Sequence, residues 1–120
     1  MRRIALTCLL ALIALPAIAG RPAVSPRALE EVRKSQHAPL ILDVRSAEEF
    51  KQGHIPGAVQ VPHDQLESRL AELGKPKWVV VYCRSGRRAT EAEAVLNKHG
   101  FEVRQLEGSW QAWDAAMPRR

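Results

Sequence analysis

The residues of this chain best suited to chemistry form one short run, Cys83-Arg84-Ser85-Gly86-Arg87-Arg88. A free thiol has a pKa of ~8.5 and ionises more readily when it faces a helix N-terminus and neighbouring cations. Arg84, Arg87 and Arg88 supply the cations, and Gly86 lets the backbone bend closely around the sulfur. The N–H groups of such a loop point inward, and a following helix adds partial positive charge. This cradle suits a thiolate, or a thiolate carrying one additional sulfur, beside an anion. Free cysteine is among the most buried residue types, so a cysteine after a strand is commonly only packing. Three arginines in the five following positions, together with a glycine turn, favour the functional reading here.

Other elements must position this loop. Trp78-Val79-Val80-Val81-Tyr82 is the most hydrophobic and β-branched run, which predicts a central strand with Cys83 at its carboxyl end. After the loop, Ala89, Ala92, Val95 and Leu96 fall at helical spacing, and Gly100 supplies a C-terminal cap. Upstream, Ser25 as N-cap and Pro26 in the first turn open a helix predicted to run to about Gln36, with Ala28, Leu29 and Val32 on one face. Leu40-Ile41-Leu42-Asp43-Val44 reads as a buried strand, and Ser46-Ala47-Glu48-Glu49 as a capping box that starts a short helix. Gly53-His54-Ile55-Pro56-Gly57 is a breaker-rich loop, and Ala58 to Val61 a second short strand. Asp64 to Glu67 caps a helix carrying Leu66, Leu70 and Leu73, which Gly74-Lys75-Pro76 ends. Phe101 to Leu106 is the last strand. Strands alternating with helices imply an α/β fold with right-handed crossovers and a mostly parallel sheet covered on both faces. Ligands of such sheets bind beyond the carboxyl ends of the strands, where the Cys83 loop lies.

The remaining polar residues invite blander readings. Asp43 and Arg45 stand at the end of the first strand, where an ion pair bracing the site explains them better than direct chemistry. Glu48 and Glu49 are adjacent on a helix and diverge, so capping accounts for Glu49. His54 and His63 border the site region, yet loop hydrogen bonds are the usual fate of such histidines, while His37 and His99 read as surface. Trp110 and Trp113, three apart on a terminal helix, read as core packing. The histidines and cysteines show no metal-ligand spacing, and no nucleotide fingerprint or Walker pattern follows any strand; no metal and no cofactor are expected.

With 120 residues, 46% hydrophobic and 26% charged, the chain has the make-up of one globular domain. Its first stretch is different. Arg2 and Arg3 precede an apolar run from Ile4 to Leu15, then Pro16 and the small-residue sequence Ala17-Ile18-Ala19, the pattern of a cleaved signal peptide over residues 1–19. As a membrane anchor the run is short of the ~20 residues that span a bilayer, and Pro16 interrupts it. The expected location is therefore the periplasm, with no membrane attachment after cleavage. Loss of Arg2 and Arg3 leaves 16 basic against 13 acidic residues, a net charge of +3. That mild excess, with few aromatics, suits small anionic ligands and argues against nucleic acid. Export also leaves Cys83 as the one cysteine in an oxidising compartment, a liability that asks for a function.

Five segments in order, Leu42-Asp43-Val44-Arg45, Glu48-Glu49-Phe50, Gly53-His54-Ile55-Pro56-Gly57-Ala58, Cys83-Arg84-Ser85-Gly86-Arg87-Arg88 and Gly108-Ser109-Trp110-Gln111-Ala112-Trp113, resemble the successive signatures of rhodanese domains. The resemblance covers residues 25–117. It implies a small parallel sheet flanked by helices, Cys83 as catalytic cysteine, and Arg84, Ser85, Gly86, Arg87 and Arg88 as the active-site loop. It further implies a sulfurtransferase in which a Cys83 persulfide passes sulfur from thiosulfate or a similar anionic donor to cyanide or a thiol. A non-enzymatic carrier or binding module of the same fold is the alternative. The related dual-specificity phosphatases and arsenate reductases place an arginine six positions after the cysteine; that position is Ala89 here, and the arginine comes one residue earlier.

Overall fold

The computed structural model describes residues 20–118, so the leader expected over residues 1–19, with Cys8, lies outside the described residues. The elements run α1 (Pro26–Val32), β1 (Leu40–Asp43), α2 (Ala47–Gln52), β2 (Val59–Gln60), β3 (Val79–Tyr82), α3 (Arg87–Lys98), β4 (Val103–Gln105) and α4 (Ser109–Ala116). Two 3₁₀ turns, His63–Gln65 and Glu67–Leu73, link β2 to β3. All strand pairings are parallel and the order is β2-β1-β3-β4, which is the expected α/β arrangement. Every residue of β3 is buried, as an apolar strand covered on both faces must be.

Side chains alternate along the strands and divide the core in two. Val79, Val81 and Cys83 join Leu42 and Val44 in a cluster with Ala89, Ala92 and Leu96 of α3. Val80 and Tyr82 join Ile41 in a second cluster with Leu29 of α1 and Trp113 of α4. Cys83 is therefore packed towards α3, while α1 and α4 cover the opposite face.

Local differences from the expected elements have local causes. Helix α1 ends at Val32 rather than near Gln36, because the Ser35 hydroxyl takes the Val32 carbonyl at 2.7 Å and offers the backbone another partner. Its Ser25 cap is present, accepting the Ala28 N–H at 3.1 Å, but Ala28 is exposed and Leu29 carries the buried face. The helix expected over Leu66 to Leu73 is instead 3₁₀, broken at Arg69 (φ −121°, ψ 18°), and Asp64 does not cap it. Here the Ser68 hydroxyl donates to the Gln65 carbonyl at 3.0 Å, and the Arg69 guanidinium is drawn to Glu72 and Gln65. Leu66 and Leu73 are nonetheless buried, so the apolar spacing holds where the hydrogen-bond pattern does not.

Candidate active site

Chain direction brings the carboxyl ends of β1 and β3, the start of α2 and the starts of α3 and α4 to one end of the sheet. Cys83 follows β3 directly and is 1% exposed. Its sulfur receives the Gly86 N–H at 3.0 Å and lies 3.9 Å from the Ser109 hydroxyl oxygen, which also accepts the Cys83 N–H at 3.3 Å. Gly86 has φ +130°, a conformation that L side chains rarely adopt, and it caps α3. The Gly86 carbonyl is held in turn by the Thr90 N–H and hydroxyl, both at 3.0 Å. The turn that aims the amide at the sulfur is thus fastened to the first turn of α3.

Helix α4 fastens the same loop from the other side. Its N–H groups at Trp110 and Gln111 donate to the carbonyls of Cys83 (2.9 Å) and Arg84 (3.2 Å), satisfying amides that a helix start otherwise leaves open. Gly108 and Ser109 both have positive φ, +70° and +53°, and this sharp entry points the Ser109 side chain back at Cys83. A Cβ on Gly108 would meet the Ala112 Cβ at 2.5 Å, so the close turn requires glycine.

The arginines have unequal surroundings. Arg88 is engaged by Glu49 through two bonds, Nη1 to Oε1 at 2.7 Å and Nη2 to Oε2 at 3.0 Å. Beside that guanidinium the Glu49 carboxyl falls from its ordinary 4.5 to about 2, and Glu49 raises Arg88 in return. Glu49 simultaneously completes the Ser46 capping box, so one side chain caps α2 and holds α3. Arg84 and Arg87 are exposed and form no ion pair among the described residues. An open cleft of about 900 Å³ lies beside the loop, lined by Arg45, Glu49, His54, Arg84, Trp110 and Asp114 among others.

Asp43 and Arg45 form a buried pair at 2.7 Å. Arg45 also donates to the Gly53 carbonyl at 2.7 Å, and its guanidinium carbon sits 4.8 Å from the centre of the Trp110 ring and 5.5 Å from that of Tyr82. Tyr82, pushed up by burial, stays a neutral phenol and accepts the Ile55 N–H at 3.1 Å. These contacts tie β1, the 53–57 loop and α4 together on the face of the sheet opposite α3, so the pair braces the site without touching Cys83.

Residues 26–116 match the family described as the rhodanese-like domain. The chain belongs to that family. The rhodanese-like domain is 41% identical over 75 residues to a sulfurtransferase of Allochromatium vinosum, covering 62% of this chain and 70% of that one. It is 37% identical over 81 residues to the putative sulfur carrier protein YrkF of Bacillus subtilis, covering 68% of this chain and 44% of YrkF, so it spans less than half of that relative. Among solved structures, human single-domain sulfurtransferase TSTD1 superposes with a TM-score of 0.71 at 29% identity, covering 82% of this chain and 100% of TSTD1. These three relatives are named as two sulfurtransferases and a putative sulfur carrier.

Sequence reasoning about the rhodanese-like domain assigned no individual role to Ser109, and it read Glu49 as a cap alone. Nothing local announces either contact: Ser109 lies 26 residues from Cys83, and Glu49 lies 39 from Arg88. A serine directly after a glycine at a helix start was the one available signal for the first. Trp113 packs in the core as expected, and Trp110 is half-buried, packed against the same cluster while also walling the cleft beside Arg45 and Gly53. His54 spends its Nδ1 on the Phe50 carbonyl at 2.8 Å and stacks on the Phe50 ring while also lining the cleft. Among the described residues no group of three or more His, Cys, Asp or Glu could hold a metal ion.

Proposed function

We propose that this chain is an exported sulfurtransferase that carries sulfur on Cys83 as a persulfide, taking it from thiosulfate or a similar anionic donor. The observation that carries this reading is the buried Cys83 sulfur at the carboxyl end of β3 with the Gly86 N–H donated to it at 3.0 Å. The Cys83 thiolate attacks the outer sulfur of thiosulfate, the S–S bond of the donor breaks, and its electron pair leaves with sulfite. Cys83 then bears one additional sulfur with a single negative charge, which the loop amides and α3 N-terminus favour. A thiophilic acceptor, cyanide or a thiolate, attacks that outer sulfur and departs as thiocyanate or a persulfide, and the Cys83 thiolate returns. Arg84, on the rim of the cleft, supports donor binding by charge-assisted hydrogen bonds. Position 89, where phosphatases of related fold carry arginine, is an alanine fully buried against the core, so a loop of that kind is not available here.

The same persulfide also serves a carrier that hands sulfur to one protein partner, a reading favoured by the likeness to the putative sulfur carrier YrkF. Intact mass of the reduced protein before and after thiosulfate, with and without cyanide, tests the shared chemistry. The expected outcome is a gain of one sulfur, reversed by cyanide and absent in a folded Cys83→Ser variant. A folded Cys83→Ser variant that retains turnover overturns the assignment. Multiple turnovers with a small acceptor identify the enzyme, and single-turnover transfer alone identifies the carrier.

A further inference from the structure

The site is rich in positive charge by sequence, yet two of its guanidiniums, those of Arg45 and Arg88, are already matched. Arg45 is paired with Asp43, and Arg88 is held by both oxygens of Glu49. Glu49 is itself fixed, because its Oε1 accepts the Ser46 N–H at 3.3 Å and the Ser46 hydroxyl at 3.1 Å while α2 begins two residues earlier. The Glu49–Arg88 pair is only partly exposed, at 29% and 28% of the side chains, and Glu49 lines the same cleft as Arg84. A donor entering that cleft meets the Arg84 guanidinium and a fixed carboxylate. Both terminal nitrogens of Arg88 are already bonded to Glu49.

From this geometry we propose that Glu49 is a specificity-determining residue that tunes the site away from doubly charged donors such as thiosulfate and towards singly charged ones, the alkyl persulfides. The inference rests on the sulfurtransferase reading above. With an alkyl persulfide anion, the Cys83 thiolate attacks the outer sulfur, the donor S–S bond breaks, and the electron pair leaves on the alkyl thiolate; one charge enters and one departs on the donor. Thiosulfate brings two charges and releases two as sulfite, so the Glu49 carboxylate disfavours its binding more. The discrimination acts on donor binding, because Glu49 lines the cleft while the sulfur of Cys83 takes its hydrogen bond from the Gly86 N–H.

The test is steady-state loading of the full chain with thiosulfate and with cysteine persulfide, compared as the ratio of kcat/KM for the two donors. Glu49→Gln keeps a residue that suits the capping box and removes the charge. The ratio of thiosulfate to persulfide should rise about fivefold, the effect of one partly exposed charge contact, through the KM for thiosulfate rather than kcat. Arg88→Gln, which leaves the Glu49 charge uncompensated, should lower the same ratio, and adding Arg88→Gln to Glu49→Gln should cancel the gain. An unchanged ratio in folded Glu49→Gln overturns the proposal, as does a loss of kcat with both donors, which marks the pair as structural support alone. If Glu49→Gln does not fold, a ratio unchanged or raised in Arg88→Gln overturns it equally. Wild-type protein that loads no sulfur from either donor refutes the sulfurtransferase reading instead, so the two failures are distinct.

Discussion

Gly86 shows how one residue can be needed for its backbone alone. A Cβ there would meet nothing within 4 Å, but φ is +130°, so the cost of any side chain is conformational. Gly86→Ala is expected to cost about 1–3 kcal/mol of stability and to turn the N–H away from the Cys83 sulfur. Thermal unfolding and the rate of persulfide loading check it together, and a variant with wild-type loading shows that the amide is dispensable. Ser109 offers the complementary case. Its φ of +53° strains serine and alanine alike, so Ser109→Ala isolates the hydroxyl that accepts the Cys83 N–H. Leaving that buried amide unpaired should cost about 1–3 kcal/mol, with slower sulfur loading as the sulfur loses its neighbour. Denaturant unfolding beside the loading rate measures both effects. Gly86 was legible in the sequence because glycine in a cysteine-led loop has few uses; Ser109 was not, because its partner lies 26 residues away, just beyond the end of β3.

Helices α2 and α3 are joined across the mouth of the site by the Glu49–Arg88 pair, and this contact carries a pH signature. The Glu49 carboxyl sits at about 2 in the folded protein against an ordinary 4.5, with Arg88 as the main cause. A lowered folded pKa contributes stability above about pH 4.5 and loses it as the pH falls towards 2. The difference in melting temperature between wild type and Glu49→Gln should therefore be largest near neutral pH and shrink between pH 4.5 and 2. Glu30 of α1, held at about 2 by Arg33 and Lys34 just beyond the helix end, titrates over the same interval and is common to both proteins, so the comparison removes it. At this scale the Ser25 and Ser46 caps and the apolar spacing were readable, since each depends on residues within a turn or two, whereas the cap expected at Asp64 is absent. Helix ends and the 3₁₀ character of Glu67–Leu73 were less so, because Ser35 and Ser68 compete for carbonyls that a helix would use.

For the whole molecule, the first described helix begins at Pro26, downstream of the apolar run Ile4 to Leu15 in the sequence, and no helix among the described residues is long and apolar enough to cross a membrane. Expression of the full chain in a Gram-negative host should yield a periplasmic protein whose intact mass lacks the leader; full-length protein confined to the cytoplasm overturns the proposed export. Local patterns in the sequence determined the α/β alternation, the apolar central strand, the Ser25 cap, the Ser46 capping box and the placement of Cys83 before a cationic loop, because strand period, helix period and caps act between near neighbours. The ordered signatures also led to the rhodanese-like family. Only the tertiary structure decided which arginine is occupied, which hydroxyl faces the thiol and which tryptophan walls the cleft. The first two of those contacts join residues 39 and 26 apart in the chain, brought together by the parallel order of the sheet, which gathers strand ends and helix starts at one end.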